Sequence, residues 1–150
     1  MSVSDVEAYL KSQNFNFRFI EDRSEFYCVS SGSDSEWLVR FKINSSRDEL
    51  IVYSQLATVP PPLRSQMGTF ITLANYGLTN GFFELDYDDG ELRFRSSLDV
   101  EHCSNINACI DNLLKRNYVN VDFYFNGIKG VLNGMDPTEA IKLCEEYVRS

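Results

Sequence analysis

The stretch richest in potential chemistry is FFELDYDDGELRFR, Phe82 to Arg95, where Glu84, Asp86, Asp88, Asp89 and Glu91 surround Gly90. Carboxylates at this density could hold a divalent cation or supply a paired acid and base. Neither pattern fits. A helix–loop–helix calcium loop takes oxygen ligands at its first, third and fifth positions, glycine at the sixth and glutamate at the twelfth. With Gly90 sixth, the first, third and twelfth residues are Leu85, Tyr87 and Ser96. A glycosidase-like pair needs one acid in an apolar pocket that raises its pKa. Strand alternation puts Glu84 and Asp86 opposite the apolar side, each beside an arginine that favours the ionised form. The stretch reads as a hairpin turning at Asp89-Gly90. Counting outward pairs Tyr87 with Leu92, Leu85 with Phe94 and Phe83 with Ser96 on one face. On the other, Asp86 meets Arg93 and Glu84 meets Arg95.

His102 beside Cys103 has the residue types of a nucleophile and its base. Sequence neighbours rarely point at one another, so the pair reads as a strand-to-helix connector. Cys28, Cys103, Cys109 and Cys144 include no C-x2-C spacing, and His102 is the only histidine, so no zinc pattern exists. All four are expected to be free thiols acting as small hydrophobes in a reducing compartment. The chain has no G-x-S-x-G, no phosphate loop and no G-x-G-x-x-G. These observations favour a protein that is not an enzyme and needs no cofactor or metal.

Charge narrows the partners further. Fourteen Lys and Arg against 22 Asp and Glu give a net charge of −8, with no basic run. Such a chain repels nucleic acid and anionic lipid, and its aromatics are not interleaved with cations as single-strand binders require. No basic-then-apolar leader opens the sequence, and no run approaches the roughly 18 apolar residues of a membrane span. The expectation is a cytoplasmic protein of one domain, residues 1–150, with 43% hydrophobic residues to form its core.

The elements that would position these residues follow from periodicity. Ser4 and Glu7 have the spacing of a capping box for a helix to about Gln13. NFNFRFIED alternates Phe15, Phe17 and Phe19 with polar residues, as a half-buried strand does. EFYCVSS, EWLVRFKIN and LIVYSQLATV follow as three more strands joined by short turns, which favours antiparallel pairing. Pro60 to Pro62 end the run and precede a helix with apolar residues at Leu63, Met67, Phe70, Ile71, Ala74 and Leu78. The hairpin comes next. SNINACIDNLLKRNYVNVDFYFNGIKGVLNG is then one long helix or two joined near Tyr118. Asp136, Pro137 and Glu139 open the last helix. The order α-ββββ-α-ββ-α-α argues an α+β fold with an antiparallel sheet packed against helices.

The run LANYGLTNGFFELDYDDGELRFRSSLDV, a following long helix and VLNGMDPTEA resemble the YbjN family, bacterial proteins grouped as sensory transduction regulators. The positions that carry the resemblance are Asn75, Phe83, Glu84, Leu85, Asp86, Asp89, Gly90, Arg93, Arg95, Gly134, Pro137, Glu139 and Ala140. The upstream VPPPLRSQM also fits, and the likeness spans about Phe15 to Val148. It implies a fold like that of type III secretion chaperones, often homodimeric, with no catalytic residues to carry over. It suggests a non-catalytic module that binds an unidentified polypeptide partner. A small-ligand sensor with a pocket between sheet and helices is the alternative. Leu50, Ile51, Val52 and Leu56 leave both sides of one strand partly apolar, and the helix after the prolines is broadly apolar too. This surplus predicts a homodimer, with Leu63, Met67, Phe70 and Ile71 as interface candidates.

Overall fold

The computed structural model describes residues 1–149, and side chains through residue 146. Helix α1 covers Val3–Ser12. Strands β1 (Phe17–Ile20), β2 (Glu25–Ser31), β3 (Glu36–Asn44) and β4 (Glu49–Thr58) follow. Helix α2 (Arg64–Asn75) precedes β5 (Phe82–Leu85) and β6 (Glu91–Asp99), and α3 (Ile106–Leu132) and α4 (Pro137–Arg149) close the chain. The six strands form one antiparallel sheet in the order β1-β2-β3-β4-β6-β5. The α+β class and the element order are those expected from periodicity.

Alternation builds the core. Trp37, Val39, Phe41 and Ile43 of β3 point to one face, aligned with Phe26 and Cys28 of β2 and with Leu50 and Val52 of β4. Leu92 and Phe94 of β6 continue that face. The buried stripe of α3, Ile110, Leu113, Val121, Tyr124 and Ile128, joins the same apolar cluster. Full burial of each such side chain contributes about 1.5–3 kcal/mol. One polar residue crosses the layer boundary. Asn117 of α3 is buried and accepts from Ser54 Oγ, while its Nδ2 donates to Ser96 Oγ at 2.9 Å and to the Val52 carbonyl at 3.2 Å. It pins the helix to two strands at once.

Four details depart from the expected pattern. The cap of α1 is Ser2, not Ser4: the Ser2 amide donates to Asp5 Oδ2 at 2.7 Å and the Asp5 amide to Ser2 Oγ at 3.2 Å. The same box spacing occurs two residues earlier and starts the helix sooner. Helix α2 ends at Asn75 rather than near Leu78, because Gly77 adopts φ +91° and the Asn75 side chain turns to β5.

The hairpin turn is longer than Asp89-Gly90. Glu84 lies opposite Arg93 and Leu85 opposite Leu92, and the loop closes through Asp86 N–H to the Glu91 carbonyl at 2.9 Å. Against the expected partner Arg95, the pairing slips by two residues, so each side chain keeps its face. The Asp86 and Asp89 carboxylates accept from the amides of Asp88 and Glu91, both at 2.8 Å. Arg64 donates to the carbonyls of Tyr87 at 2.9 Å and Asp88 at 3.2 Å. The wider turn satisfies more backbone than a two-residue one would.

Cys103 and Cys109 are joined as a disulfide, while Cys28 and Cys144 are free and buried. The expectation of four free thiols is corrected here. The cause is local: Cys103 N–H returns to the Val100 carbonyl at 3.1 Å and Asn105 caps α3 through Ala108 N–H at 3.1 Å. That fold-back brings the two Cα atoms within 6.7 Å. Among the described residues, no helix is long and apolar enough to cross a membrane.

Candidate functional site: an apolar track across the helix layer

The acidic hairpin is a construction of paired groups. Glu84 receives Arg93 Nε and Arg95 Nε, each at 2.8 Å. Glu91 lies 3.5 Å from Arg40 and 3.8 Å from Arg93. Arg93 is held in its cationic form: burial works against the charge, but its hydrogen bond to Glu84 and the neighbouring acids outweigh it. Asp86, expected opposite Arg93, instead supports the turn. Among the described residues no group of three or more His, Cys, Asp or Glu is placed to hold a metal ion.

These arginines belong to the sheet face away from the core. The pair register sets Arg18 beside Tyr27, Tyr27 beside Arg40, Arg40 beside Tyr53 and Tyr53 beside Arg95. The guanidinium groups of Arg40 and Arg93 lie over the Tyr53 ring, 4.8 and 4.3 Å from its centre. Ile51 sits on this face, between Lys42 and Ser97. The apolar surplus of β4 is thus divided, with Leu50 and Val52 under the helices and Ile51 and Tyr53 on the other face.

The four interface candidates fall mostly inside. Met67 and Phe70 are fully buried and Ile71 nearly so, and Leu63 is half-buried against the core. Phe70 meets Tyr124 edge to face, with ring centres 6.4 Å apart. Apolar side chains reach the solvent at Leu73 of α2, 40% exposed, and just past the helix end at Tyr76, 91% exposed. The helical spacing identified an apolar face but not which part of it the neighbouring helices cover.

Leu73 and Tyr76 border a groove of about 770 Å³ between α2, α3 and α4. Val119, 60% exposed, and Phe123 line its α3 wall, Ile141 and Glu145 its α4 wall, and Leu78 its end. At the base the Tyr124 hydroxyl donates to Glu145 Oε1 at 3.1 Å. Burial, then that hydrogen bond, pushes the Tyr124 phenol well above its ordinary pKa. The phenol is therefore a fixed donor. Val119 also borders a second cleft of about 220 Å³, whose walls include Phe15, Cys28, Val39, Leu114 and Tyr118. There burial pushes the Cys28 thiol up to about 11. Val119 lines both depressions, and their apolar walls flank α3 on either side of it as a track. Sequence periodicity could have hinted at it, since Val119 and Phe123 stand four apart beside the core stripe.

The space between sheet and helices does not support the small-ligand alternative. Apart from the small cleft beside Cys28 and Val39, packed side chains fill it, and its central polar group, Asn117, is already bonded to Ser54, Ser96 and Val52.

No family model and no curated protein matches the sequence. Solved structures do match in fold. YbjN from E. coli aligns over 81% of this chain and 89% of its own, with TM-score 0.60 and 9% identity. The ExsC–ExsE complex aligns over 82% and 90%, with TM-score 0.57 and 10% identity. The Yersinia pestis type III secretion chaperone SycH, solved with a stable fragment of YscM2, aligns over 75% and 90%, with TM-score 0.46 and 15% identity. The chain has a YbjN-like fold, in keeping with the resemblance carried by its hairpin and last helix.

Proposed function

We propose that this chain is a non-catalytic, chaperone-like module that binds another polypeptide through the apolar track centred on Val119. The carrying observation is the track itself: Leu73 of α2, Tyr76 just beyond it, and Val119 and Phe123 of α3 are exposed together. Contiguous apolar surface of this kind marks interaction sites. A chain of the ExsC–ExsE complex shares the fold, and this likeness to a protein solved with another polypeptide adds support. Residues 1–150 act as one unit, without nucleic acid, membrane or cofactor. The test is direct. Proteins that co-purify with the chain from its native cell are identified by mass spectrometry, made recombinantly and titrated calorimetrically. Val119→Asp is expected to weaken the genuine partner about tenfold or more, which is about 1.4 kcal/mol. A partner that binds wild type and Val119→Asp equally would overturn the reading.

The open sheet face supports a second proposal, that two copies pair through it as a homodimer. Ile51, Tyr53 and half-buried Leu38 make it less polar than a solvated face requires, and Val29 on it is 59% exposed. Sedimentation equilibrium at micromolar concentration is expected to give twice 17.2 kDa, and Val29→Glu to shift it to the monomer. A wild-type monomer at all concentrations contradicts the pairing.

A further inference from the structure

We propose that the segment bound in the α2–α3–α4 groove is an amphipathic helix carrying a lysine or arginine beside its apolar stripe, which meets Glu145. This rests on the polypeptide-binding reading above and adds the conformation and charge of the occupant.

The conformation follows from the walls. All three are helices, whose backbone groups are bonded within themselves. The polar side chains of the groove are turned inward as well. Thr72 Oγ1 donates to the Gly68 carbonyl at 2.8 Å and Asn120 Nδ2 to the Arg116 carbonyl at 2.9 Å. An extended segment lying here would find no strand edge, and its own N–H and C=O groups would be buried without partners. A helix arrives with those bonds already made and presents side chains at i, i+3, i+4 and i+7 to an apolar groove. Leu73, Tyr76, Val119 and Phe123 supply the surface such a stripe needs.

The charge follows from Glu145. It is the one ionisable carboxylate among the lining residues, and only its Oε1 accepts a hydrogen bond among the described residues, from Tyr124. Among the described residues Oε2 accepts none, and we assign it to the ligand. A cation on the flank of the helix would complete it, and an anion there would be repelled. The net charge of −8 draws a basic segment in the same direction.

Fluorescently labelled peptides about four turns long test this on the full chain. One carries a leucine stripe with flanking lysines, one has a proline at its centre, and one has glutamates in place of the lysines. The first is expected to bind saturably and about tenfold tighter than the other two. Glu145→Lys should reverse the order of the lysine and glutamate peptides. Val119→Asp should abolish binding, with circular dichroism confirming that the exposed substitution leaves the fold intact. Equal binding of the proline peptide overturns the helix and leaves the polypeptide-binding reading standing. Failure of all three peptides to bind wild type overturns the inference, while that reading is judged separately by titration with the native partner. An unchanged preference in Glu145→Lys overturns the charge assignment. Self-association that Val119→Asp abolishes would place a second copy in the groove and overturn the proposal as a whole.

Discussion

Asn117 joins α3 to β4 and β6 through three hydrogen bonds in a space closed to water. Alanine there leaves Ser54, Ser96 and the Val52 carbonyl without that partner. The expected loss is about 3 kcal/mol, measured as a lower urea midpoint with an unchanged slope. A loss below about 0.5 kcal/mol would show that water replaces the amide. The cysteines give a second prediction at this scale. Denatured without reductant, the protein should titrate two thiols, Cys28 and Cys144, and after reduction four, because Cys103 and Cys109 are bonded. Native Cys28, its thiol pushed up to about 11 by burial, should react slowly with alkylating agents at pH 8. Rapid native labelling of Cys28 would mean that its cleft opens.

At the scale of elements, β5 is held on both sides. β6 pairs along one edge, and on the other Asn75 stands in for a further strand. Its Nδ2 donates to the Phe83 carbonyl at 3.0 Å, and Phe83 N–H donates to its Oδ1 at 2.7 Å. Asn75→Asp keeps the acceptor but sets a carboxylate oxygen against a carbonyl. It should cost more than Arg93→Ala, whose partly exposed ion pairs contribute about 1 kcal/mol or less. Chemical denaturation of the two variants compares them, and the reverse order would contradict the geometry. Strand alternation and the spacing of α2 and α4 were legible because each element carries its own period. The hairpin register was not, because it depends on Arg64, distant in sequence, and on two aspartate turns that compete with the Asp-Gly signal. The cover over Met67 and Phe70 was likewise hidden, since burial on α2 is decided by α3 and α4. Several positions that carried the family resemblance hold these elements. Asn75 caps an edge, Gly90 sits at φ +82° where a Cβ would meet the Val59 carbonyl, and Gly134 sits at φ +91° between α3 and α4. They speak for fold, while Val119 and Tyr76, outside those positions, speak for binding.

Part of the whole molecule's response to alkali runs through the contact between its first and third helices, beside the parts carried by the raised Tyr124 phenol and Cys28 thiol. Tyr9 of α1 donates to Asp111 of α3 at 3.2 Å, and burial, then the Asp111 charge, pushes the phenol up to about 12. In that window the folded state holds a proton that the unfolded state has released. The contribution is therefore complete below pH 10 and lost as pH rises towards 12. Tyr9→Phe should flatten this part of the stability–pH curve, and an unchanged slope in the variant would assign the loss elsewhere. The central claim concerns the middle of α3, where an acidic chain with a YbjN-like fold leaves an apolar track uncovered. Photocrosslinking in the native cell tests it most directly. A photoreactive amino acid is placed at Val119 in the track and, separately, at Arg47 in the exposed β3–β4 turn. The account predicts a discrete crosslink to one other polypeptide from position 119, absent from position 47 and competed away by the purified partner. Crosslinks of equal pattern from both positions, or none from position 119 while the partner remains bound, would contradict it.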